Sequence, residues 1–195
     1  MKQPLLIRVA VYAFVFSVFS FAARAEPLLK TGDRMVFLGD SITEMRDYPR
    51  YVMDYFTLRY PGAMISFRNA GWSGDTAPGG LLRLQRDVLS LKPSVVSICF
   101  GMNDGRYQAF GQAAYDAYMN GMTNLVAQLK VAHVKVVLLT PGCVDPDRRP
   151  DLKACNYNNT LARLAAGVKE LAAKENLPVF DILRLSRATK PRAMN

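Results

Sequence analysis

A serine follows an apolar run near the start of the chain, in a pattern typical of an exposed nucleophile. Val36-Phe37-Leu38 leads directly into the small polar segment Gly39-Asp40-Ser41. A polar turn at the end of a strand exposes the serine hydroxyl. A hydroxyl is a weak nucleophile at its ordinary pKa and needs an adjacent base. The one histidine of the chain, His133, lies far along the sequence, so the pattern predicts a nucleophile at Ser41 without an evident base.

Short runs rich in β-branched residues alternate with longer amphipathic segments, and these elements must position the serine. Apolar residues at helical spacing predict helices between the strands. The predicted strands are Arg34–Leu38, Met64–Asn69, Val95–Phe100, Val134–Thr140 and Pro178–Ile182, and the predicted helices are Tyr48–Arg59, Gly80–Leu91, Ala113–Ala132 and Tyr157–Glu175. The apolar face of the second helix is expected to contain Leu81, Leu82, Leu84, Val88, Leu89 and Leu91.

The alternation of strands and helices predicts an α/β fold, a three-layer α/β/α sandwich around a five-stranded parallel sheet. Ligands of such sheets bind beyond the carboxyl ends of the strands. Small polar segments follow the first three predicted strands, at Gly39–Ser41, Ala70–Asp75 and Gly101–Asp104. Because the carboxyl ends of parallel strands meet at one edge of the sheet, we expect these segments to converge on one rim.

The polar segments resemble the first three sequence blocks of the SGNH (GDSL) hydrolases in residue type, order and spacing. The blocks are Gly39–Thr43 (GDSIT), Asn69–Thr76 (NAGWSGDT) and Gly101–Gly105 (GMNDG), and the resemblance extends from roughly Asp33 to Ile182. It implies the flavodoxin-like SGNH hydrolase fold. It also implies a serine ester hydrolase, an acyl- or acetylesterase, that acts on a small-molecule or carbohydrate ester.

The resemblance assigns roles to three residues. Ser41 matches the nucleophile. The backbone N–H groups of Ser41 and Gly74 and the side-chain amide of Asn103 match the oxyanion hole, which stabilises the charge that develops on the acyl oxygen. Taken alone, Ser41 could instead cap a helix, Gly74 could serve a turn, and Asn103 with Asp104 could cap the next helix. Asp40 and Asp104 are expected to hold the loops by hydrogen bonds.

The family's Asp-x-x-His block supplies the base and the carboxylate that orients it. No such block follows Phe180-Asp181-Ile182. His133 is expected at the amino end of the fourth strand, roughly 20 Å from the rim, and the Asp181 carboxylate alone activates a hydroxyl poorly. We therefore expect residues 26–195 to be a C-terminally incomplete SGNH hydrolase domain that lacks its last helix and its base and is inactive as given. The alternative is a naturally truncated, non-catalytic relative that binds an ester or carbohydrate.

The first 25 residues have the pattern of a signal peptide. Lys2 and Arg8 give a basic start, Val9–Phe21 is apolar, and Ala23-Arg24-Ala25 fits a cleavage site. The apolar run is shorter than the ~20 residues that span a bilayer. The mature protein is therefore expected in the periplasm or outside the cell, with no membrane span. The formal net charge is +9, but the basic residues are scattered, which disfavours nucleic-acid binding.

The cysteines are too dispersed to predict a metal site. Together with one histidine they form no cluster at zinc spacing, and no Gly-x-Gly-x-x-Gly follows the first strand, which disfavours a nucleotide binder. We expect neither metal nor cofactor. Cys99 is expected to be a buried thiol. Cys143 and Cys155 flank a loop, and export would permit a disulfide between them; two unpaired thiols are the alternative. Trp72, the only tryptophan, is expected to pack at the rim.

Overall fold

Five parallel strands form one sheet in residues 28–188, the part of the chain that the computed structural model describes. The strands are β1 Arg34–Gly39, β2 Ser66–Gly71, β3 Val95–Cys99, β4 Lys135–Leu139 and β5 Val179–Phe180, in the order β2-β1-β3-β4-β5. β1 pairs with β2 on one side and with β3 on the other. The strand order therefore reverses between β1 and β3, which is where α/β sheets open a crevice for ligands.

Helices connect consecutive strands of the described sheet, and one more helix follows the last strand. They are α1 Ser41–Glu44, α2 Asp47–Arg59, α3 Ala77–Asp87, α4 Gln112–Val131, α5 Pro150–Ala154, α6 Tyr157–Glu175 and α7 Ile182–Ala188, with 3₁₀ turns at Pro61–Ala63 and Leu89–Leu91. The start of α3 illustrates how the sequence determines where a helix begins. The Thr76 hydroxyl accepts a hydrogen bond from the Gly79 N–H at the start of α3, where Pro78 occupies a position that needs no N–H donor.

The strands are apolar on both sides, and helices cover both faces. Residues at alternate positions, such as Val36 and Leu38, pack in one core against α3, α4 and α6. Their neighbours Met35 and Phe37 pack in a second core, to which α2 and the first residue of α7, Ile182, contribute. This arrangement confirms the predicted three-layer sandwich.

The sequence predicted all five strands, but the observed ends of several strands differ from the predicted ones. β2 begins at Ser66 rather than Met64, because Met64 adopts a left-handed conformation (φ 48°) after the 3₁₀ turn. β5 has two residues, since Ile182 already begins α7. The expectation that no helix follows the last strand is corrected in part, because α7 does so and buries Leu183.

The apolar face predicted for the second helix is only partly correct. The α-helix ends at Asp87, and Leu82 is 90% exposed. The buried positions include Gly80, Arg83 and Leu84 instead, so an arginine lies within the buried stripe of α3.

The predicted signal peptide, residues 1–25, lies outside the described residues. Within residues 28–188, no helix combines the length and the apolar character that crossing a membrane requires.

Candidate active site

Ser41 is the first residue of α1 and directly follows the helix cap at Asp40. The Asp40 carboxylate accepts a hydrogen bond from the Ile42 N–H at 3.0 Å, so the capping role considered for Ser41 belongs to Asp40. Gly39 permits this sharp turn, since a Cβ there would come within 2.1 Å of Thr43 Oγ1 and 2.6 Å of the Cys99 carbonyl oxygen. Ser41 itself is half-buried, and its hydroxyl has no hydrogen-bond partner within residues 28–188. As the first helical residue, it also has a backbone N–H without an intrahelical partner.

Gly74 lies in a turn just beyond the carboxyl end of β2. Its φ of +75° is a conformation that side-chain-bearing residues rarely adopt, and a Cβ would meet no atom within 4 Å. The glycine is thus required by backbone conformation, while the space beside it is open to a ligand. The turn is anchored to β1 by a hydrogen bond from the Trp72 N–H to the Gly39 carbonyl at 3.0 Å.

Asn103 is tied directly to the Gly74 turn. Its Nδ2 donates to the Asp75 carbonyl at 2.8 Å, across 28 residues of sequence. Its Oδ1 accepts from the Tyr107 hydroxyl, also at 2.8 Å, and this fixes the orientation of the amide. Nδ2 carries two hydrogens, and only one is used among the described residues. The second remains available to a ligand oxygen.

Two buried carboxyl groups hold the turns, as the sequence predicted. Asp104 accepts from the Ala77 N–H at 2.8 Å with one oxygen and from the Gly101 N–H at 2.9 Å with the other. It therefore joins the third block to the start of α3 and does not cap the helix that follows it. Burial raises the pKa of both Asp104 and Asp40 to about 6, against the lowering effect of the backbone hydrogen bonds they accept.

Arg83 is the principal positioning residue of the candidate site that the sequence pattern did not identify. The residue is 9% exposed, and its guanidinium donates to the carbonyls of Gly39 at 3.1 Å and Ala70 at 2.8 Å. Its Nε also donates to the Asp75 carboxylate at 2.7 Å. One side chain thus joins the ends of β1 and β2 to the Gly74 turn. The signal was present, because Gly80, Arg83 and Leu84 share one helical face.

A cavity of about 310 Å³ adjoins the Gly74 turn. It is lined by Trp72, Ser73, Gly74, Asp75, Arg83 and Arg86. The Trp72 ring is 55% exposed, and the guanidinium carbons of Arg83 and Arg86 lie 6.0 and 5.9 Å from its ring centroid. Trp72 is therefore at the rim, as expected, but much of its surface remains accessible. A second, smaller cavity of about 130 Å³ has Asn103 in its wall.

No imidazole accompanies these groups. His133 follows α4 and precedes the first residue of β4, with a left-handed φ of 57°. Ser41 follows the last residue of β1, so the two lie at opposite ends of the parallel sheet, as predicted. Asp181 is engaged elsewhere, since it accepts from the Arg184 N–H and pairs with Lys169 at 3.1 Å. Partial burial pushes the Asp181 pKa up, but these bonds outweigh it and the pKa is lowered.

The cysteines are all free thiols in this structure. Cys99 is buried in β3 as predicted, and burial raises the pKa of its thiol. The disulfide considered between Cys143 and Cys155 is not formed. The Cys155 thiol lies near the carbonyl oxygens of Leu152 and Tyr107, at 3.5 and 3.6 Å. The alternative of two unpaired thiols describes the structure.

Among known proteins, relatives of this chain include esterases. An acetylxylan esterase from Geobacillus stearothermophilus is 26% identical over 172 residues, which is 77% of this chain and 76% of the relative. A crystal structure of a catalytic variant of an acetylxylan esterase from the same organism has a TM-score of 0.69, covering 82% of this chain and 80% of that one at 26% identity. A lipase/acylhydrolase from Enterococcus faecalis gives 0.65, with 27% identity and coverage of 82% and 80%.

The Geobacillus esterase structures also carry information on catalysis. Three of them are catalytic variants, in which a serine, an aspartate or a histidine is replaced by alanine. The aspartate precedes the histidine by three positions, the spacing of the Asp-x-x-His block. Residues 37–194 of the present chain match the GDSL-like lipase/acylhydrolase family. The chain therefore belongs to this family of carboxylic ester hydrolases.

Proposed function

We propose that the protein is an acyl- or acetylesterase whose nucleophile is Ser41 and whose oxyanion hole comprises the backbone N–H groups of Ser41 and Gly74 and the Asn103 amide. The observation that carries the proposal is the 2.8 Å hydrogen bond from Asn103 Nδ2 to the Asp75 carbonyl. This bond holds a side-chain donor beside the open Gly74 turn. The Arg83 side chain, through its bonds to Asp75 and Gly39, links this turn to β1, the strand that precedes Ser41.

The reaction begins with attack of Ser41 Oγ on the acyl carbon of the ester. The carbonyl oxygen becomes negatively charged and accepts hydrogen bonds from the three donors, each typically worth about 3 kcal/mol in the barrier. When the intermediate collapses, the bond from the acyl carbon to the alcohol oxygen breaks, and the alcohol leaves with the proton that Ser41 gave up. Water then attacks the acyl-enzyme, which releases the acid and restores Ser41.

The proton transfers are the steps of the reaction that this chain is least equipped to catalyse. An esterase of this type needs a base within hydrogen-bond reach of the serine, and the relative from Geobacillus stearothermophilus has catalytic aspartate and histidine residues. The present chain has one histidine, at the far end of the sheet. We therefore propose that the polypeptide, as given, turns esters over near the background rate.

The substrate proposed is an acetylated carbohydrate. The acetylxylan esterase relatives support an acetyl group and a sugar alcohol. We also propose that residues 1–25 are a signal peptide and that residues 26–195 act outside the inner membrane. Polymeric carbohydrates do not cross that membrane, which agrees with an exported enzyme.

A second candidate is a protein that binds a carbohydrate ester without cleaving it. The remoteness of His133 from Ser41 favours this candidate, because the donors of the oxyanion hole do not depend on the base. Such a protein would hold a carbonyl or acetate oxygen at Gly74 and Asn103 and leave Ser41 unreacted.

Hydrolysis of p-nitrophenyl acetate with and without added imidazole separates these functions. For the unmodified protein we expect turnover near background, raised by imidazole beyond the rate that imidazole gives with the Ser41→Ala variant. Strong Ser41-dependent turnover without imidazole would contradict the missing base. Identical rates for the two proteins under both conditions would reject Ser41 as nucleophile and leave the binding candidate.

A further inference from the structure

The cavity beside Gly74 has one large apolar surface and many polar groups. Of its lining residues, only Trp72 presents an extended apolar face, and that face is partly covered by two guanidinium groups. A long acyl chain would need a continuous apolar lining, since its binding energy comes from buried apolar area. A volume of about 310 Å³ lies at the small end of ligand pockets. The cavity therefore suits a compact ring better than a lipid tail.

The charges around the cavity are internally compensated. Arg83 pairs with Asp75 at 2.7 Å and approaches Asp87 at 3.5 Å. Arg86 contacts Asp87 with two nitrogens, at 2.6 and 3.0 Å. Neither guanidinium is an uncompensated cation, so an anionic ligand would have to compete with the carboxylates already bound. An uncharged ligand with hydroxyl groups could use both the N–H donors and the carboxylate acceptors that remain.

The cavity shares one residue with the proposed oxyanion hole. Gly74 belongs to its wall, and the Trp72 N–H is bonded to Gly39, two residues before Ser41. A group bound on Trp72 would therefore lie next to the proposed oxyanion hole.

We propose that this cavity is the alcohol subsite of the enzyme and binds an uncharged, polyhydroxylated ring whose C–H face stacks on Trp72. The inference rests on the proposed function, which it deepens by naming the residue that selects the alcohol. A sugar ring combines an apolar face with hydroxyl groups on its edge, which matches an aromatic surface rimmed by ion-paired arginines.

Because Trp72 is the only tryptophan of the chain, its fluorescence reports directly on this cavity. Titration of the protein with unacetylated xylo-oligosaccharides is expected to shift and quench the emission. Calorimetry with the same ligand is expected to give binding about tenfold weaker for Trp72→Ala, the size of effect expected for a lost aromatic contact. Trp72→Phe should retain part of the affinity. Tyr51→Ala, which removes an exposed ring from α2, should bind like the unmodified protein.

Three outcomes would overturn the inference. One is no fluorescence change and no heat with the neutral oligosaccharide; another is equal affinity for Trp72→Ala and Tyr51→Ala. The third is tighter, salt-sensitive binding of an oligouronate, which would mean that the arginines recognise an acid. Ser41→Ala separates this inference from the proposed function. If Ser41→Ala and the unmodified protein bind sugar equally but neither hydrolyses esters with imidazole, the nucleophile assignment fails and the subsite stands.

Discussion

Replacement of Arg83 by methionine is expected to destabilise the protein strongly while leaving the shape of α3 intact. Methionine keeps an unbranched apolar stem and a high helix propensity, so the change removes mainly the guanidinium. That group is 9% exposed and bonds closely to the carbonyls of Gly39 and Ala70 and to the Asp75 carboxylate, with Asp87 farther away at 3.5 Å.

The Asp75 carboxylate dominates the expected loss. The carbonyl of Gly39 still accepts from the Trp72 N–H, so its loss is small. The Asp75 side chain is 12% exposed, and without Arg83 its nearly buried charge would keep, among residues 28–188, only the Thr76 N–H as a close donor. Removing one partner of a buried ion pair typically costs about 3–5 kcal/mol. This is a large share of the roughly 5–15 kcal/mol that stabilises most domains.

Urea unfolding followed by far-ultraviolet circular dichroism measures the loss. Arg86→Met is the matched control, because Arg86 lies on the same helix and is 69% exposed, and solvent screens exposed ion pairs so that they contribute little to stability. Asp75→Asn in the Arg83→Met background should recover part of the stability, since it removes the uncompensated charge. Equal unfolding midpoints for Arg83→Met and Arg86→Met would refute the assigned role of Arg83.

The remaining predictions concern protonation and the glycines. Asp104 has a pKa of about 6 in the folded protein against 3.8 for the free group, so its stabilisation is complete below pH 3.8 and is lost as the pH rises through 6. Relative to the unmodified protein, Asp104→Asn should reduce the fall in unfolding free energy between pH 4 and pH 7 by about 2 kcal/mol; parallel urea titrations at both pH values check this, and identical profiles contradict it. Gly39→Ala should destabilise the protein by about 1–3 kcal/mol, the typical cost of overpacking, because the added methyl group would meet Thr43. Gly74→Ala should cost only about 1 kcal/mol, from its left-handed backbone; thermal melts compare the two, and a larger loss at Gly74 would reverse this ranking.

The sheet and its layers could be predicted from the sequence because each strand carries its own local signal. The central strands are nearly continuous apolar runs, interrupted in β3 by Ser97, and turn residues mark their ends. The last strand is shorter than predicted, since Val179 and Phe180 pair with β4 whereas Ile182, which follows Asp181, already belongs to α7. Periodicity does not report where a strand stops pairing and a helix begins.

The candidate site could be predicted where its residues belong to recognisable sequence blocks. Ser41, Gly74 and Asn103 lie in recognisable blocks at strand ends, whereas Arg83 and Tyr107 act through the orientation of a side chain in three dimensions. The Arg83 guanidinium reaches Gly39 across 44 residues of sequence. Such a contact depends on helix packing, which a linear pattern does not encode. An arginine within an apolar stripe indicates a buried charge that needs a partner, but not which partner.

The hydrogen bonds that hold the candidate site together join residues far apart in sequence, and this has a consequence for folding. Ser41, Gly74 and Asn103 follow three different strands, and the hydrogen bonds that join these strand ends close loops of 27 to 44 residues. Closing such loops costs entropy before any contact compensates, and contacts of this range slow folding. A helical intermediate without the β1–β2 and β1–β3 pairs would have no oxyanion donors in place. Ligand binding at the site should therefore appear late in refolding, with the native sheet, and could serve as a kinetic probe of strand assembly.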